Sequence, residues 1–175
     1  SANIHASVSG TVIKIDETVD ASGYRRNAIF IDVEGDEWME GIDTSLTIIS
    51  EIKMTRDEII ERVKTHGIVG MGGATFPTSV KLKVPEGKKA EYLLINGVEC
   101  EPYLTSDHRV MLERGQEVLI GIRILMKALD VKKAFIGIEK NKPDAIKHLI
   151  ELCNGSTDVE VVPLKVKYPQ GGEKQ

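Results

Sequence analysis

The sequence holds 175 residues, 41% of them hydrophobic and 29% charged, with a formal net charge of −4. That length fits one domain, or one domain with part of another. The acidic balance argues against nucleic acid, which asks for clustered Lys and Arg, and no apolar run approaches the roughly 18 residues of a membrane span.

The chain opens Ser1-Ala2-Asn3-Ile4-His5, with no basic stretch ahead of an apolar core, so no signal peptide is expected. Residues 4–50 read as all-β. His5–Ile15 is rich in β-branched residues, Asn27–Glu34 alternates apolar and polar positions, and Gly10, Gly23, Gly35 and Gly41 mark turns. Two or three strands are too few for a core, so this part needs partners from elsewhere.

A helix follows. Thr55-Arg56-Asp57-Glu58 has the capping-box pattern, Ile59, Ile60 and Val63 form an apolar stripe, and Gly67 is a natural stop. A glycine-rich loop comes next, then a short helical piece at Ser79–Lys83. Glu91–Ile95 reads as a buried strand. One helix is expected from about Asp107 to Leu129, with Val118, Ile122, Leu125 and Leu129 on one face. Lys133–Ile138 is a strand, Pro143 starts a helix to about Cys153, and Asp158–Leu164 is a third strand. A β-α-β-α-β succession implies a parallel sheet with right-handed crossovers, a Rossmann-like half.

Cys100 and Cys153 stand far apart in no CxxC pair, which excludes an iron–sulfur or zinc site built within this chain alone. They fit a reducing compartment. The four histidines form no ligand pair at helical spacing, so no metal is expected.

The glycine-rich stretch is GIVGMGGATFPT, residues 67–78. It departs from the dinucleotide fingerprint, because Thr75 stands at the third glycine and a helix rather than a strand precedes it. It also lacks the Gly-Lys-Ser/Thr of a P-loop. Gly70, Gly72 and Gly73 can nevertheless expose backbone N–H groups with no side chain in the way, and Lys81 adds a cation. The competing reading is a surface turn whose glycines only permit tight packing, and by composition it stands slightly ahead.

The strand Glu91–Ile95 ends in NGVECEP, residues 96–102. Ligands in open α/β sheets lie beyond the carboxyl ends of strands. Asn96 offers a donor and an acceptor to a planar heterocycle or a ribityl chain. Glu99 and Glu101 are suited to ribose hydroxyls or an amide, to acid–base work, or simply to a solvated helix start. Cys100 has no histidine partner and reads as a small buried residue.

Taken together, Gly-x-Gly-Gly-x-x-Phe-Pro-Thr at residues 70–78 and Asn-x-x-Glu-x-Glu-Pro at 96–102 resemble the flavin-binding domain of the NADH-oxidising subunit of respiratory complex I. HASVSGTV near the start, INGVECEPYLTSDHRVM in the middle and KYPQGGEKQ at the end resemble more closely the RnfC family of Rnf electron-transport complexes. The resemblance covers essentially the whole chain. It implies an α/β, Rossmann-like three-layer flavin-binding domain with a parallel sheet, residues 51–175, truncated at its C-terminal end. Residues 1–50 would be a partial all-β segment, barrel-sandwich hybrid-like, and the chain a piece of a longer protein.

The resemblance also implies cofactors and roles. Gly70, Gly72, Gly73 and Lys81 would hold the phosphate and ribityl chain of FMN, and Asn96 and Glu99 would line the flavin. Phe76 would stack near NAD(H) and Glu101 would contact it. Tyr168 with Gly171, Gly172 and Glu173 would close a second loop over the flavin. No residue acts as a chemical catalyst, since the cofactor carries hydride transfer. Clusters of the [4Fe–4S] type belong to the absent C-terminal part. Electrons would pass between NAD(H) and iron–sulfur clusters or ferredoxin in an ion-translocating complex. The partners would be the other Rnf subunits and, indirectly, ferredoxin, on the cytoplasmic face of the cell membrane.

Three positions depart from the pattern. Thr75 stands where glycine is usual, Val98 where complex I relatives carry aspartate, and Tyr103 where they carry glycine. Related flavin domains serve cobalamin reduction or proline reductase, and a flavin-free docking module is the alternative from another class.

Overall fold

The computed structural model describes residues 2–71, 74–153 and 155–168. The chain divides into two compact units, Ile4–Thr47 and the remainder.

The smaller unit is a hairpin of β1 (Gly10–Val19) and β2 (Arg25–Val33), antiparallel from Gly10↔Val33 to Val19↔Arg25 with a bulge between Val12 and Lys14. Its strands sit further along the chain than the alternation suggests, because the turn is set by Asp20. The Asp20 carboxylate accepts the N–H groups of Ser22 and Tyr24 at 2.9 and 3.0 Å, and Gly23 takes φ 82°. Such an Asx turn fixes the hairpin register locally. Val12, Ile13, Ile15 and Ile29 are all more than half exposed, so the hairpin buries no core of its own.

The larger unit holds a parallel sheet in the order β3 (Leu93–Asn96), β4 (Ala134–Glu139), β5 (Val159–Leu164). Leu93 pairs with Ala134 and Ala134 with Val159. Helices α3 (Ser106–Glu113), α4 (Gly115–Leu129) and α5 (Pro143–Leu152) cover the face that carries Ala134, Ile136 and Ile138. Met111, Leu119, Ile122, Met126, Ala145 and Leu149 fill the interface. On the opposite face Leu94 stays three-quarters exposed, so the third layer of the expected arrangement is not among the described residues.

The region expected as one helix from Asp107 to Leu129 is two, broken at Arg114 (φ −129°, ψ 31°). Gly115 explains the break: a Cβ there would meet Leu152 at 2.6 Å and His148 at 3.0 Å, so α4 begins in close contact with α5. The buried stripe of α4 is accordingly Leu119, Ile122 and Met126. Leu125 and Leu129 turn toward a second cluster, formed by Ile59, Val63, Leu82 and Ala128.

That cluster anchors α1 (Arg56–Thr65) and the single turn α2 (Thr78–Lys81). The capping box of α1 forms as its sequence requires. Glu58 N–H donates to the Thr55 hydroxyl at 3.4 Å, and the Thr55 N–H donates to the Glu58 carboxylate at 2.7 Å. Gly67 follows the helix at φ 63°, a left-handed stop that favours glycine. Among the described residues, no helix is long and apolar enough to cross a membrane.

Candidate functional site

The glycine-rich loop leaves α1 and returns into α2 through a main-chain neck. Val69 and Pro77 form an isolated antiparallel bridge. Gly70 N–H donates to Phe76 O at 2.8 Å, and Thr78 N–H to Ile68 O at 3.0 Å. The neck brings Gly70, Phe76 and Lys81 together. A Cβ on Gly70 would lie 3.1 Å from Lys81 Nζ, and that ammonium stands 5.9 Å from the centre of the half-exposed Phe76 ring. A cation, a bare stretch of backbone and an aromatic face therefore share one rim, within the range of a cation–π contact. Gly72 and Gly73 lie outside the described residues.

The second loop starts where β3 ends. Asn96 Oδ1 accepts the Val98 N–H at 3.0 Å, which bends the chain away from the sheet. Gly97 then donates its N–H to Gly137 O at 2.9 Å. A Cβ on Gly97 would sit 2.9 Å from that same oxygen, so only glycine allows the strands this approach. Glu99 is buried. Its Oε1 accepts the Asp107 N–H at 2.8 Å and the Ser106 hydroxyl at 3.4 Å, in the first turn of α3, where backbone N–H groups favour a carboxylate. Its Oε2 is buried without a hydrogen-bond partner. Glu101, two residues on, is exposed, and Cys100 between them is a free, half-buried thiol.

Sequence reading missed a layer beneath this loop. Glu139, the last residue of β4, is fully buried, and its Oε2 accepts Lys142 Nζ at 2.7 Å and the Glu99 N–H at 3.3 Å. A carboxylate closing the apolar run Ala134–Ile138 was the signal that would have found it, since a charge at the end of a buried strand must have a partner. The concentration of negative charge is felt at Asp107. Burial first, then the charges of Glu99 and Glu101, push its carboxyl up, while Lys142 pulls it down.

The two positions where the family resemblance expects glycine share an unusual backbone. Thr75 takes φ 48° and Tyr103 φ 69°, both in the left-handed region. A side chain there costs about 1–2 kcal/mol. Tyr103 is fully exposed. Tyr168, four residues past β5, is exposed, while Gly171, Gly172 and Glu173 lie outside the described residues.

Open ends of parallel strands beside a glycine loop are features of a nucleotide- or flavin-binding α/β domain. Residues 63–175 match the family described as the Nuo51 FMN-binding domain, and the chain belongs to that family. A likeness to a solved structure of an NAD+-reducing [NiFe]-hydrogenase agrees in fold, with a TM-score of 0.52 and 22% identity over 62% of this chain and 20% of that one.

More particularly, the chain is 45% identical over its whole length to the RnfC-type component of the Na+-translocating ferredoxin:NAD+ oxidoreductase complex of Acetobacterium woodii. It is 49% identical, over 99% of its length, to the corresponding component of the proton-translocating ferredoxin:NAD+ oxidoreductase complex of Clostridium ljungdahlii. The equivalent component of an ion-translocating oxidoreductase complex of Haemophilus influenzae is 40% identical over 98% of the chain. The resemblance to the RnfC family read from the motifs is borne out. The chain spans 39%, 37% and 21% of the lengths of these three relatives.

Proposed function

We propose that this chain is the flavin- and nicotinamide-binding portion of an electron-transfer subunit in an ion-translocating complex of the Rnf type. Electrons would pass between NAD(H) and iron–sulfur clusters, with ferredoxin as an indirect partner. The observation that carries the reading is the placement of Asn96, Glu99 and Glu101 at the carboxyl end of a parallel strand, in a chain of the Nuo51 FMN-binding family. The chemistry of the donor set fits FMN. Lys81 beside Gly70 suits a phosphate, Phe76 offers a ring face, and Glu99 Oε2 is a buried acceptor that lacks a donor.

When bound, FMN would supply hydride exchange with the nicotinamide and release of the electrons one at a time. The chain's own residues bind and orient. Gly70 and Lys81, with Gly72 and Gly73, hold the phosphate and ribityl chain. Asn96 and Glu99 line the flavin, Phe76 stacks toward the nicotinamide nucleotide, and Glu101 accepts a hydrogen bond from it. Tyr168, Gly171, Gly172 and Glu173 close over the cofactor. Such a site works by positioning, and needs no acid or base of its own.

In this reading residues 51–175 form the cofactor domain and residues 1–50 a partial β segment of barrel-sandwich hybrid type. The exposed apolar residues on the hairpin support the latter. Clusters of the [4Fe–4S] type would lie in the whole subunit outside this chain, which would sit peripherally on the cytoplasmic face of the membrane.

Titration of the full-length subunit with FMN, followed by flavin fluorescence, tests the proposal. Saturable one-to-one binding is expected, weakened by Lys81→Ala, and absence of binding to the full-length protein would sink it. Glu101→Gln in the same protein is expected to raise the KM for NADH, and an unchanged KM would remove Glu101 from the nucleotide site.

A further inference from the structure

Beneath the loop 96–102 lies a buried charged pair to which neither the family match nor the motifs assign a role. Glu139 has no exposed surface and the Lys142 side chain is 9% exposed, with 2.7 Å between Nζ and Oε2. Stability alone is a poor reason to keep such a pair, because the desolvation of two charges offsets most of their attraction, and apolar residues of similar size often serve as well. What an apolar pair cannot replace is the acceptor that Glu139 Oε2 presents to the Glu99 N–H.

From there the hydrogen bonds run on to a second element. Glu99, fixed at its backbone by Glu139, fixes α3 through its own carboxylate, by way of Asp107 N–H and the Ser106 hydroxyl. Lys142 reaches the same group electrostatically, since its charge opposes the upward push that Glu99 and Glu101 exert on the Asp107 carboxyl. Five charged groups thus face one another here: Glu99 and Glu101 from the loop, Asp107 from α3, Glu139 from β4 and Lys142 from the start of α5. His108 and Asp144 pair with each other alongside, at 2.9 Å.

The geometry points to Glu139 and Lys142 as positioning residues: Lys142 holds the Glu139 carboxylate, which seats the backbone of Glu99 and so sets the loop that carries the ligand-facing acceptors. The inference rests on the proposed cofactor site for its functional consequence, though not for its structural one. Glu139 has no exposed surface, and it acts only through Glu99.

Two double variants of the full-length subunit separate the acceptor from the charges. Glu139→Leu with Lys142→Met removes both charges and the acceptor. Glu139→Gln with Lys142→Met removes the charges and keeps an amide oxygen in place. Both are expected to melt near the wild-type temperature. In the Leu/Met protein, amide exchange across residues 97–101 is expected to speed up about tenfold or more, the equivalent of losing one hydrogen bond to a charged acceptor. Its KM for NADH is expected to rise by a similar factor while kcat changes less. The Gln/Met protein is expected to stay within about threefold of wild type in both, because an amide oxygen still accepts the N–H.

Wild-type exchange and KM in the Leu/Met protein would overturn the inference, and so would equal losses in the two variants, which would assign the effect to charge alone. A collapse of the Leu/Met melting temperature would reduce the pair to a stabilising role and overturn it too. Faster exchange with an unchanged KM would overturn the functional half. If the wild-type subunit bound no FMN, the proposed function would fail, and the exchange comparison would still decide whether Glu139 seats the loop.

Discussion

The loop between Ile68 and Thr78 and the loop between Asn96 and Tyr103 leave the same unit, but they are held by different means. The first is closed at its neck by main-chain bonds and presents exposed groups: Phe76, Lys81 and bare backbone. The second rests on buried carboxylates, with Gly97 pressed against β4 and Glu99 tied to Glu139 and α3. A loop of the first kind can adjust to what it meets, because little buried structure depends on it. One of the second kind is pre-set, and a change beneath it reaches the fold as well as the site. Each nevertheless includes a residue in the left-handed region, Thr75 in one and Tyr103 in the other.

Breaking the comparison at its strongest point means removing one partner of the buried pair. Lys142→Met leaves the Glu139 carboxylate buried without its cation, and is expected to cost about 3–5 kcal/mol. Urea denaturation would read the loss, and a cost below about 1 kcal/mol, the level of an exposed pair, would contradict the burial argument.

A matched pair of substitutions sharpens it. Gly97→Ala puts a Cβ 2.9 Å from a backbone oxygen in the sheet, and is expected to destabilise by about 1–3 kcal/mol. Gly70→Ala meets only the end of the Lys81 side chain, which can swing aside, so a change within about 0.5 kcal/mol is expected. Equal costs in thermal melts would erase the distinction between the loops.

The smallest effect expected is a pH dependence. Since burial and the neighbouring carboxylates raise the Asp107 pKa above the ordinary 3.8, the folded protein holds this proton more tightly than the unfolded chain. Its contribution to stability is therefore fully present below 3.8 and declines as pH rises through the raised value. Asp107→Asn is expected to be more stable than wild type at neutral pH and to lose that advantage in acid. A melting temperature at or below wild type at neutral pH would contradict the assignment.

Most of the fold was legible in local pattern. The capping box of α1, the stop at Gly67 and the three parallel strands follow from residues that act within a few positions of one another. The break at Arg114 was not, because the reason for it is Leu152 and His148, contacts that helical periodicity cannot register. The same limit applies at the candidate site. Gly70, Phe76 and Lys81 lie within twelve positions and could be read as a group, whereas Glu139 reaches Glu99 across forty residues of chain. Motifs record what a loop presents, and the seat of the loop is written elsewhere.

The sheet topology bears on the order in which these parts assemble. The crossover from β4 to β5 spans residues 140–158, and that from β3 to β4 spans residues 97–133, about twice as long. Doubling a loop adds only about 0.6 kcal/mol of closure entropy, roughly a threefold head start for the shorter crossover. That small bias favours β4, α5 and β5 as the earlier unit, with Glu139 and Lys142 facing each other across a three-residue step at its edge. On this route Glu99 arrives last, as β3 adds to a strand whose final carboxylate is already in position. Folding would then template the loop, and the chain that bears the ligand-facing residues would be the last to settle.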